Sequence, residues 1–137
     1  MDIVFLDANV LFSAAYRPDS HLAKLCRLAD TKLITSAYAV DEARRNLRKP
    51  EHRAALESLM AGIVIVAESM GPPREAVYPE VAAKDQPILR AAVAARATHL
   101  VTGDTRHFGP FYGKTLAEVT ILPPARYLQL RAENPPG

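Results

Sequence analysis

Four carboxylates are spread through the chain, each where a structural element is predicted to begin or end. They are Asp7, Glu42, Asp85 and Asp104. Asp7 and Asp104 come directly after or close behind the apolar runs 3–6 and 99–102, which are typical of buried strands. Because ligand sites in open parallel α/β sheets form outside the carboxyl ends of the strands, acids from distant segments are predicted to converge there. Oxygen ligands in this density are what hard divalent cations require.

Such a cluster predicts metal-dependent phosphodiester chemistry. Clustered carboxylates repel one another and raise each other's proton affinity unless cations are bound. One or two Mg²⁺ or Mn²⁺ ions would balance that charge, and a pair about 3.5–4 Å apart supports in-line displacement at phosphorus. The four histidines lack zinc-type spacing, and only His107, in the loop after the fourth predicted strand, is expected to assist near the site.

Each acid also has a simpler explanation when it is taken alone. Asp7 and Asp85 could cap helices, and Asp104 could be a turn residue. Glu42 could be a solvated helix charge paired with Arg45 or Asn46. It is the occurrence of all four acids at element boundaries that favours a common site.

The hydrophobic pattern predicts an α/β fold. Short apolar runs occur at 3–6, 33–35, 63–67, 99–102 and 119–122. Most of the segments between them have helical spacing, so the prediction is a three-layer α/β/α sandwich with a parallel five-stranded sheet. Helices are predicted from about residue 9, over 20–30, 36–48, 51–61 and 87–97, and from 123 onward.

Two segments are predicted to lack long regular elements. Residues 68–85 contain three prolines and read as a long surface loop, and residues 104–114 are rich in turn residues. In the helix predicted over 36–48, Glu42 lies nearly opposite the apolar side of the helical wheel. We expect one nuclease-like domain over 1–131, followed by a flexible tail at 132–137.

Composition narrows the classes of protein that this chain can be. Its 137 residues, 49% of them hydrophobic, are enough for one core. Cys26 is the only cysteine, so no internal disulfide is possible, and it is expected to be a buried filler. No apolar run reaches 18 residues, which predicts a cytoplasmic protein without a membrane partner. Neither a P-loop nor a dinucleotide glycine pattern is present, which disfavours ATPases and dehydrogenases.

A cluster of cations accompanies Glu42 on the same predicted helix: Arg44, Arg45, Arg48 and Lys49. The net charge of +2 permits an anionic partner, and these side chains suit the phosphate backbone of a nucleic acid. An ordinary solvated helix face is about as good an explanation. Several aromatic residues could stack on unpaired bases, namely Tyr16, Tyr38, Tyr78, Phe108, Phe111 and Tyr112, although burial is favoured for the two phenylalanines.

Four motifs in order resemble the PIN-domain nuclease family, and in particular its VapC-like toxins of toxin–antitoxin pairs. The motifs are Asp7-Ala8-Asn9-Val10-Leu11, Thr35-Ser36 through Glu42, Asp85-Gln86-Pro87-Ile88-Leu89-Arg90-Ala91-Ala92, and Leu100-Val101-Thr102-Gly103-Asp104. The resemblance covers nearly all of residues 1–131. The combination is specific, whereas one motif alone would be weak.

The resemblance implies a function and roles for individual residues. It implies that Asp7, Glu42, Asp85 and Asp104 hold one or two Mg²⁺ or Mn²⁺ ions, and that Asn9, Ser36 and Thr102 support those acids. It further implies endonucleolytic cleavage of single-stranded RNA, a homodimer and a cognate antitoxin protein as partner.

Two other functions compete with this one. A PIN-fold module could bind RNA or a protein without cleaving, but a scaffold has no need of four mutually repelling carboxylates. A phosphatase could use Asp7 as its nucleophile, although that chemistry usually requires a second acid two residues later, where this chain has Asn9.

Overall fold

The computed structural model describes residues 1–66 and 81–133, which form one α/β domain. The strands are β1 (Ile3–Leu6), β2 (Lys32–Ser36), β3 (Val64–Val66), β4 (His99–Val101), β5 (Thr115–Leu116) and β6 (Val119–Leu122). The helices are α1 (Ala8–Tyr16), α2 (His21–Leu25), α3 (Ala37–Asn46), α4 (Pro50–Met60), α5 (Gln86–Ala94), α6 (Thr105–Phe108) and α7 (Pro124–Glu133). Short 3₁₀ turns at Ala83–Asp85 and Gly109–Phe111 precede α5 and follow α6.

The sheet has the order β3-β2-β1-β4-β6-β5, with every neighbouring pair parallel except β5 and β6. Strand β1 lies in the interior between β2 and β4. The chain moves outward through β2 and β3 on one side and then returns to β4 on the other side. The predicted switch point between the first and fourth strands is therefore confirmed.

Burial along β1 shows that both faces of the sheet are covered. Val4, Phe5 and Leu6 are all 0% exposed, although successive side chains of a strand point to opposite faces. The sequence of a strand that is buried on both faces is a continuous apolar run, and for this reason β1 and β4 could be predicted from the sequence. The prediction of helices on both faces is thereby confirmed, and Cys26 is buried in the same core, as expected.

The five-stranded, all-parallel prediction was wrong in one respect. A sixth strand, β5, pairs antiparallel with β6 at the sheet edge through the two-residue turn Ala117–Glu118. Both turn residues have positive φ, 46° and 71°, as a tight hairpin turn requires. Such turns usually carry Asn-Gly or Asp-Gly, so this sequence gave no hairpin pattern to read.

The helices match the predicted ones, but two segments differ. The helix predicted over 20–30 ends at Leu25, because the amides of Arg27 and Leu28 bond three residues back, to Lys24 and Leu25. These tighter turns end the α-helix while Leu28 still packs against the core. The turn-rich segment 104–114 contains α6 and a 3₁₀ turn.

The predicted surface loop at 68–85 lies mostly outside the described residues, and only its end, from residue 81, is described. Helix α7 continues to Glu133, so residues 132 and 133 are helical and do not belong to the predicted tail. The rest of that tail, 134–137, lies outside the described residues. In the described part of the chain, no helix has the length and apolar character needed to cross a membrane.

The β5–β6 turn should gain stability from a residue that accepts positive φ. Replacing Glu118, at φ 71°, by glycine should raise the free energy of unfolding by about 1 kcal/mol, because an L-residue in this region loses that order of energy. Urea denaturation measures the change. Ala61→Gly is the matched control: Ala61 has φ −60°, so glycine there should destabilise by about 0.5–1 kcal/mol. Equal changes in the free energy of unfolding for the two variants would show that the backbone at Glu118 is not strained.

Candidate active site

The site begins with the register between β1 and β4. Leu6 is paired with Val101, so the next residues, Asp7 and Thr102, leave the sheet side by side. The Asp7 amide donates to the Val101 carbonyl at 3.1 Å, which extends the pairing by one step. The parallel pairing of β1 with β4 thus places two segments that are distant in sequence at the same edge of a cleft, as expected at a switch point.

Asp7 is held by side chains from the end of β4 and from the first turn of α1. The Thr102 hydroxyl donates to Asp7 Oδ2 at 2.8 Å, and Asn9 Nδ2 lies 3.3 Å from the same oxygen. Asn9 Oδ1 accepts from the Gly103 amide at 2.7 Å. A Cβ at Gly103 would lie 3.2 Å from that Asn9 oxygen, so glycine allows the close approach. Asn9 and Thr102, predicted to support the acids, therefore do contact Asp7.

Asp7 also caps α1, because its Oδ1 accepts from the Ala8 amide at 2.7 Å. The capping explanation is thus correct for this residue, but it leaves Oδ2 facing Thr102 and Asn9. Asp7 is 6% exposed. Desolvation by this burial, together with the charges of Glu42 and Asp104, raises the pKa of Asp7 to about 6 against the lowering effect of its hydrogen bonds.

Asp104 lies at the start of α6 and is joined to His107. Its Oδ1 accepts from the His107 amide at 3.1 Å, and its Oδ2 accepts from His107 Nδ1 at 2.7 Å. Desolvation alone would raise the pKa of Asp104, but the bonds from His107, its charge and the charge of Lys84 together lower it. Asp104 is therefore kept ionised beside an imidazole, and the expectation that His107 assists near the site is supported by this contact.

Asp85 precedes α5 but makes no side-chain cap bond there. Its side chain is 13% exposed, and Oδ2 is buried without a hydrogen-bond partner among the described residues, 4.0 Å from His107 Nδ1. Desolvation raises the pKa of Asp85, the charges of His107 and Lys84 oppose this, and Asp104 adds to it. A buried carboxylate oxygen without a donor is the kind of group that a cation would satisfy.

Glu42 reaches the cleft from α3. The helix starts directly after Ser36, whose Oγ accepts from the Ala39 amide at 3.2 Å, so Ser36 acts here as a cap. The opposite side of the helix is buried, which leaves Glu42 partly exposed, as predicted. Arg45 and Asn46, the partners suggested for it, donate instead to the backbone carbonyls of Asp41 and Glu42.

One cleft of about 560 Å³ brings all four acids together. It is lined by Asp7, Ala8, Asn9, Phe12, Tyr38, Glu42, Ala43, Asn46, Lys84, Asp85, Ile88 and Asp104. Two of these acids, Asp85 and Asp104, form a tighter group with His107, in which the ligand atoms all lie within 4.8 Å of one another. Asp7 and Glu42 line the same cleft without joining this tighter group.

A divalent cation fits this donor set. The carboxylate oxygens are possible ligands, Asp85 Oδ2 has no donor among the described residues, and the burial of Asp7 disfavours its charge in the absence of a cation. Thr102 is 0% exposed and bonds directly to Asp7, whereas Ser36, 1% exposed, caps α3, and its support of the acids stays a prediction.

Two residues at the site were not found from the sequence. Lys84 lines the cleft next to Asp85, and nothing in its surroundings in the sequence distinguishes it from a solvated lysine. Tyr112 was considered for base stacking, but its hydroxyl donates to the Thr102 carbonyl at 2.8 Å. It thereby anchors the segment between β4 and Asp104.

The predicted cations lie near the cleft with different surroundings. Arg44 is paired with Asp41 and Glu57. Arg45 lines a second cavity of about 660 Å³ with Tyr38, Asp41, Arg44 and Arg53. Arg48 and Lys49 are exposed at the end of α3 and before α4. Tyr38 lines both cavities, so the cationic cavity and the acidic cleft adjoin.

The raised pKa of Asp7 predicts a pH dependence of stability without metal. The folded state retains the proton up to about pH 6, whereas the unfolded state releases it near 3.8, so stability falls as pH rises through this interval. The loss amounts to about 3 kcal/mol in total.

Asp7→Asn should lack this fall in the free energy of unfolding. Urea denaturation in EDTA between pH 4 and about pH 7.5 measures it. Asp41→Asn removes a carboxylate with a 65% exposed side chain and should retain the wild-type fall. Parallel pH profiles for wild type and Asp7→Asn would contradict the burial effect.

Comparisons with known proteins identify the fold and the family. VapBC2 from Rickettsia felis, solved bound to a DNA fragment from their promoter, is similar with a TM-score of 0.61 at 13% identity, over 88% of this chain and 98% of that one. VapBC-1 from nontypeable Haemophilus influenzae is similar with a TM-score of 0.55 at 15% identity, over 90% and 98%. No curated protein sequence matches significantly. The PIN domain family matches residues 3–106, a span that contains all four acids, and the chain therefore belongs to the PIN domain family.

Proposed function

We propose that this PIN domain is a metal-dependent endoribonuclease that cleaves phosphodiester bonds of single-stranded RNA. The observation that carries the proposal is the convergence of Asp7, Glu42, Asp85 and Asp104 on one cleft. Mutual repulsion among four carboxylates opposes folding, so their convergence is best explained by a cation that they bind.

Asp85 and Asp104 would hold Mg²⁺ or Mn²⁺ most directly, because they belong, with His107, to a group whose ligand atoms all lie within 4.8 Å of one another. Asp7 and Glu42 would complete the site for one or two ions. A bound divalent cation supplies Lewis-acid activation for in-line displacement at phosphorus.

The remaining polar residues fix the acids in place. Thr102 and Asn9 orient Asp7 from the end of β4 and from the first turn of α1. His107 fixes the rotamer of Asp104 through two bonds, one from its ring and one from its amide. Such positioning matters because hydrogen-bonded partners of metal ligands typically contribute 10–100-fold to metal affinity or activity.

The substrate class rests on charge and on family resemblance. The cavity that contains Arg45 and Arg53 adjoins the acidic cleft, and cations there suit the phosphate groups on either side of a scissile bond. RNA as the substrate, and cleavage within the chain, are what the resemblance to VapC-like PIN nucleases implies. Such a nuclease would act in the cytoplasm.

A protein partner belongs to the same proposal. The two solved structures described above are of VapBC2 and VapBC-1, and the four motifs resemble VapC-like toxins. We therefore propose that the chain is the toxin of a type II pair, forms a homodimer and binds a cognate antitoxin. Co-purification with the product of a neighbouring gene that encodes a small DNA-binding protein would test this assignment.

Cleavage should depend on the metal and on the acids. Single-stranded RNA should be cut internally in Mg²⁺ or Mn²⁺, and EDTA should stop the reaction. Asp104→Asn and Asp85→Asn should each lower the rate more than about 100-fold, because a lost ligand should cost at least as much as a lost partner of a ligand.

The matched control is Asp30→Asn, whose side chain is 47% exposed and lines neither the acidic cleft nor the cationic cavity, so cleavage should be unchanged. A gel assay with end-labelled RNA separates the alternatives. Full activity in excess EDTA would contradict the metal mechanism, and metal-independent binding without any cleavage would favour a non-catalytic RNA-binding module.

The cations should contribute a salt-dependent part of RNA binding. Replacing Arg45 and Arg48 by alanine should weaken binding and reduce the slope of log K against log salt by about 0.7 for each lost phosphate contact. Arg96→Ala is the control, since Arg96 follows α5 at the opposite end of the sheet from Asp85. If the double variant keeps the wild-type slope in titrations by fluorescence anisotropy, these arginines form an ordinary solvated face.

A further inference from the structure

Three aromatic side chains lie one after another from the acidic cleft to the surface, and the proposed chemistry does not use them. Phe12 lines the cleft. The ring of Tyr16 stacks on that of Phe12, with centroids 5.7 Å apart and planes inclined by 22°. The His52 ring also contacts Tyr16, with centroids 4.5 Å apart and planes inclined by 43°. We refer to Phe12, Tyr16 and His52 as the aromatic ladder.

Helix geometry explains why the aromatic ladder leads away from the acids. Helix α1 begins directly after Asp7, so Phe12 and Tyr16 are one turn apart on the same side of that helix. The rise of about 1.5 Å per residue carries Tyr16 about 6 Å beyond Phe12 along the helix axis. His52 is supplied by α4, which packs extensively against α1.

Tyr16 is more exposed than a contact between two helices requires. Its side chain is 49% exposed, although an aromatic ring of this size normally contributes to stability by being buried. Tyr38 is also exposed, at 37%, and lines the cleft. Among the described residues, the large exposed aromatic side chains therefore lie in the cleft lining or one ring away from it.

We propose that the aromatic ladder, and Tyr16 above all, stacks on unpaired bases of the RNA strand that extends from the acidic cleft. The inference rests on the proposed ribonuclease function and adds a second determinant to it. The cations bind phosphate, whereas the aromatic ladder selects single strands, because only unpaired bases expose a face to a ring.

The charges around the aromatic ladder are compatible with a bound RNA strand. Helix α1 carries no charged side chain over its nine residues. The exposed Arg17 and Arg53 directly follow Tyr16 and His52 in sequence. Continuity with the acidic cleft through Phe12 favours the substrate over a separate protein partner, because a strand held at the acids must leave along some part of the cleft lining.

The test measures binding without cleavage. Asp104→Asn protein in EDTA is titrated with a fluorescent oligouridine of about twelve nucleotides, a length within the range bound by typical single-strand sites. Tyr16→Ala in this background should weaken the affinity about tenfold, as expected for the loss of one base–aromatic stack. Tyr16→Phe should retain the affinity, and Tyr16→Leu should behave like Tyr16→Ala, because leucine keeps apolar area but has no ring.

Three controls isolate the stacking. An abasic oligomer of the same length should bind Tyr16→Ala and the parent equally. The salt slope should not change, because no phosphate contact is removed. Ile65→Ala shortens an apolar side chain on β3 that is 52% exposed and does not line the cleft, and it should have no effect.

Parent-like affinity in both Tyr16→Ala and Tyr16→Leu would overturn the inference and leave the aromatic ladder as an α1–α4 contact or a protein-docking face. Weaker binding of the abasic oligomer by Tyr16→Ala would also overturn it. Neither result depends on cleavage, so failure of this inference and failure of the ribonuclease proposal are distinguishable.

Discussion

The parallel register of β1 against β4 is the constraint on which the site depends. Leu6 opposite Val101 sets Asp7 beside Thr102, and a slip of one residue would point each side chain to the other face of the sheet. The register is fixed by burial on both faces, since Val4, Phe5 and Leu6 on one strand and Leu100 and Val101 on the other are all 0% exposed. The geometry of the acidic cleft is therefore an outcome of core packing.

The clustered carboxylates of the cleft destabilise the fold, whereas the packing of the core stabilises it. Asp7 is almost fully buried beside other carboxylates, and its hydrogen bonds from Thr102 and Ala8 offset the loss of hydration only in part. Asp104 is in a different state, because His107 keeps it ionised. Adjacent acids are thus biased towards opposite protonation states, a pattern common at functional sites and uncommon in purely structural caps. The capping roles of Asp7 and Asp104 are real and coexist with a ligand role, since a carboxylate has two oxygens.

The sequence predicted the parts of this structure that repeat a strong local pattern. Strands such as Ile3–Leu6 are continuous apolar runs, and the position of Glu42 opposite a buried helix side follows from the 3.6-residue period. It could not predict β5, because the Ala117–Glu118 turn lacks the usual glycine or asparagine. From the sequence, His107 was predicted only to assist near the site. Its position in one tight group with Asp85 and Asp104 depends on tertiary contacts between distant segments. The helix predicted over 20–30 was too long because a periodic apolar residue such as Leu28 packs equally well from a turn.

The bond between Thr102 and Asp7 joins residues 95 positions apart, and this separation has a consequence during synthesis. A ribosome that has made β1, β2 and β3 has produced Asp7 and Glu42 but neither Asp85 nor Asp104. The interior strand β1 then still lacks β4, its neighbour on one side. Contacts of such long range form late because chain closure must come first. A chain at that stage of synthesis therefore has two of the four acids and cannot yet form the acidic cleft.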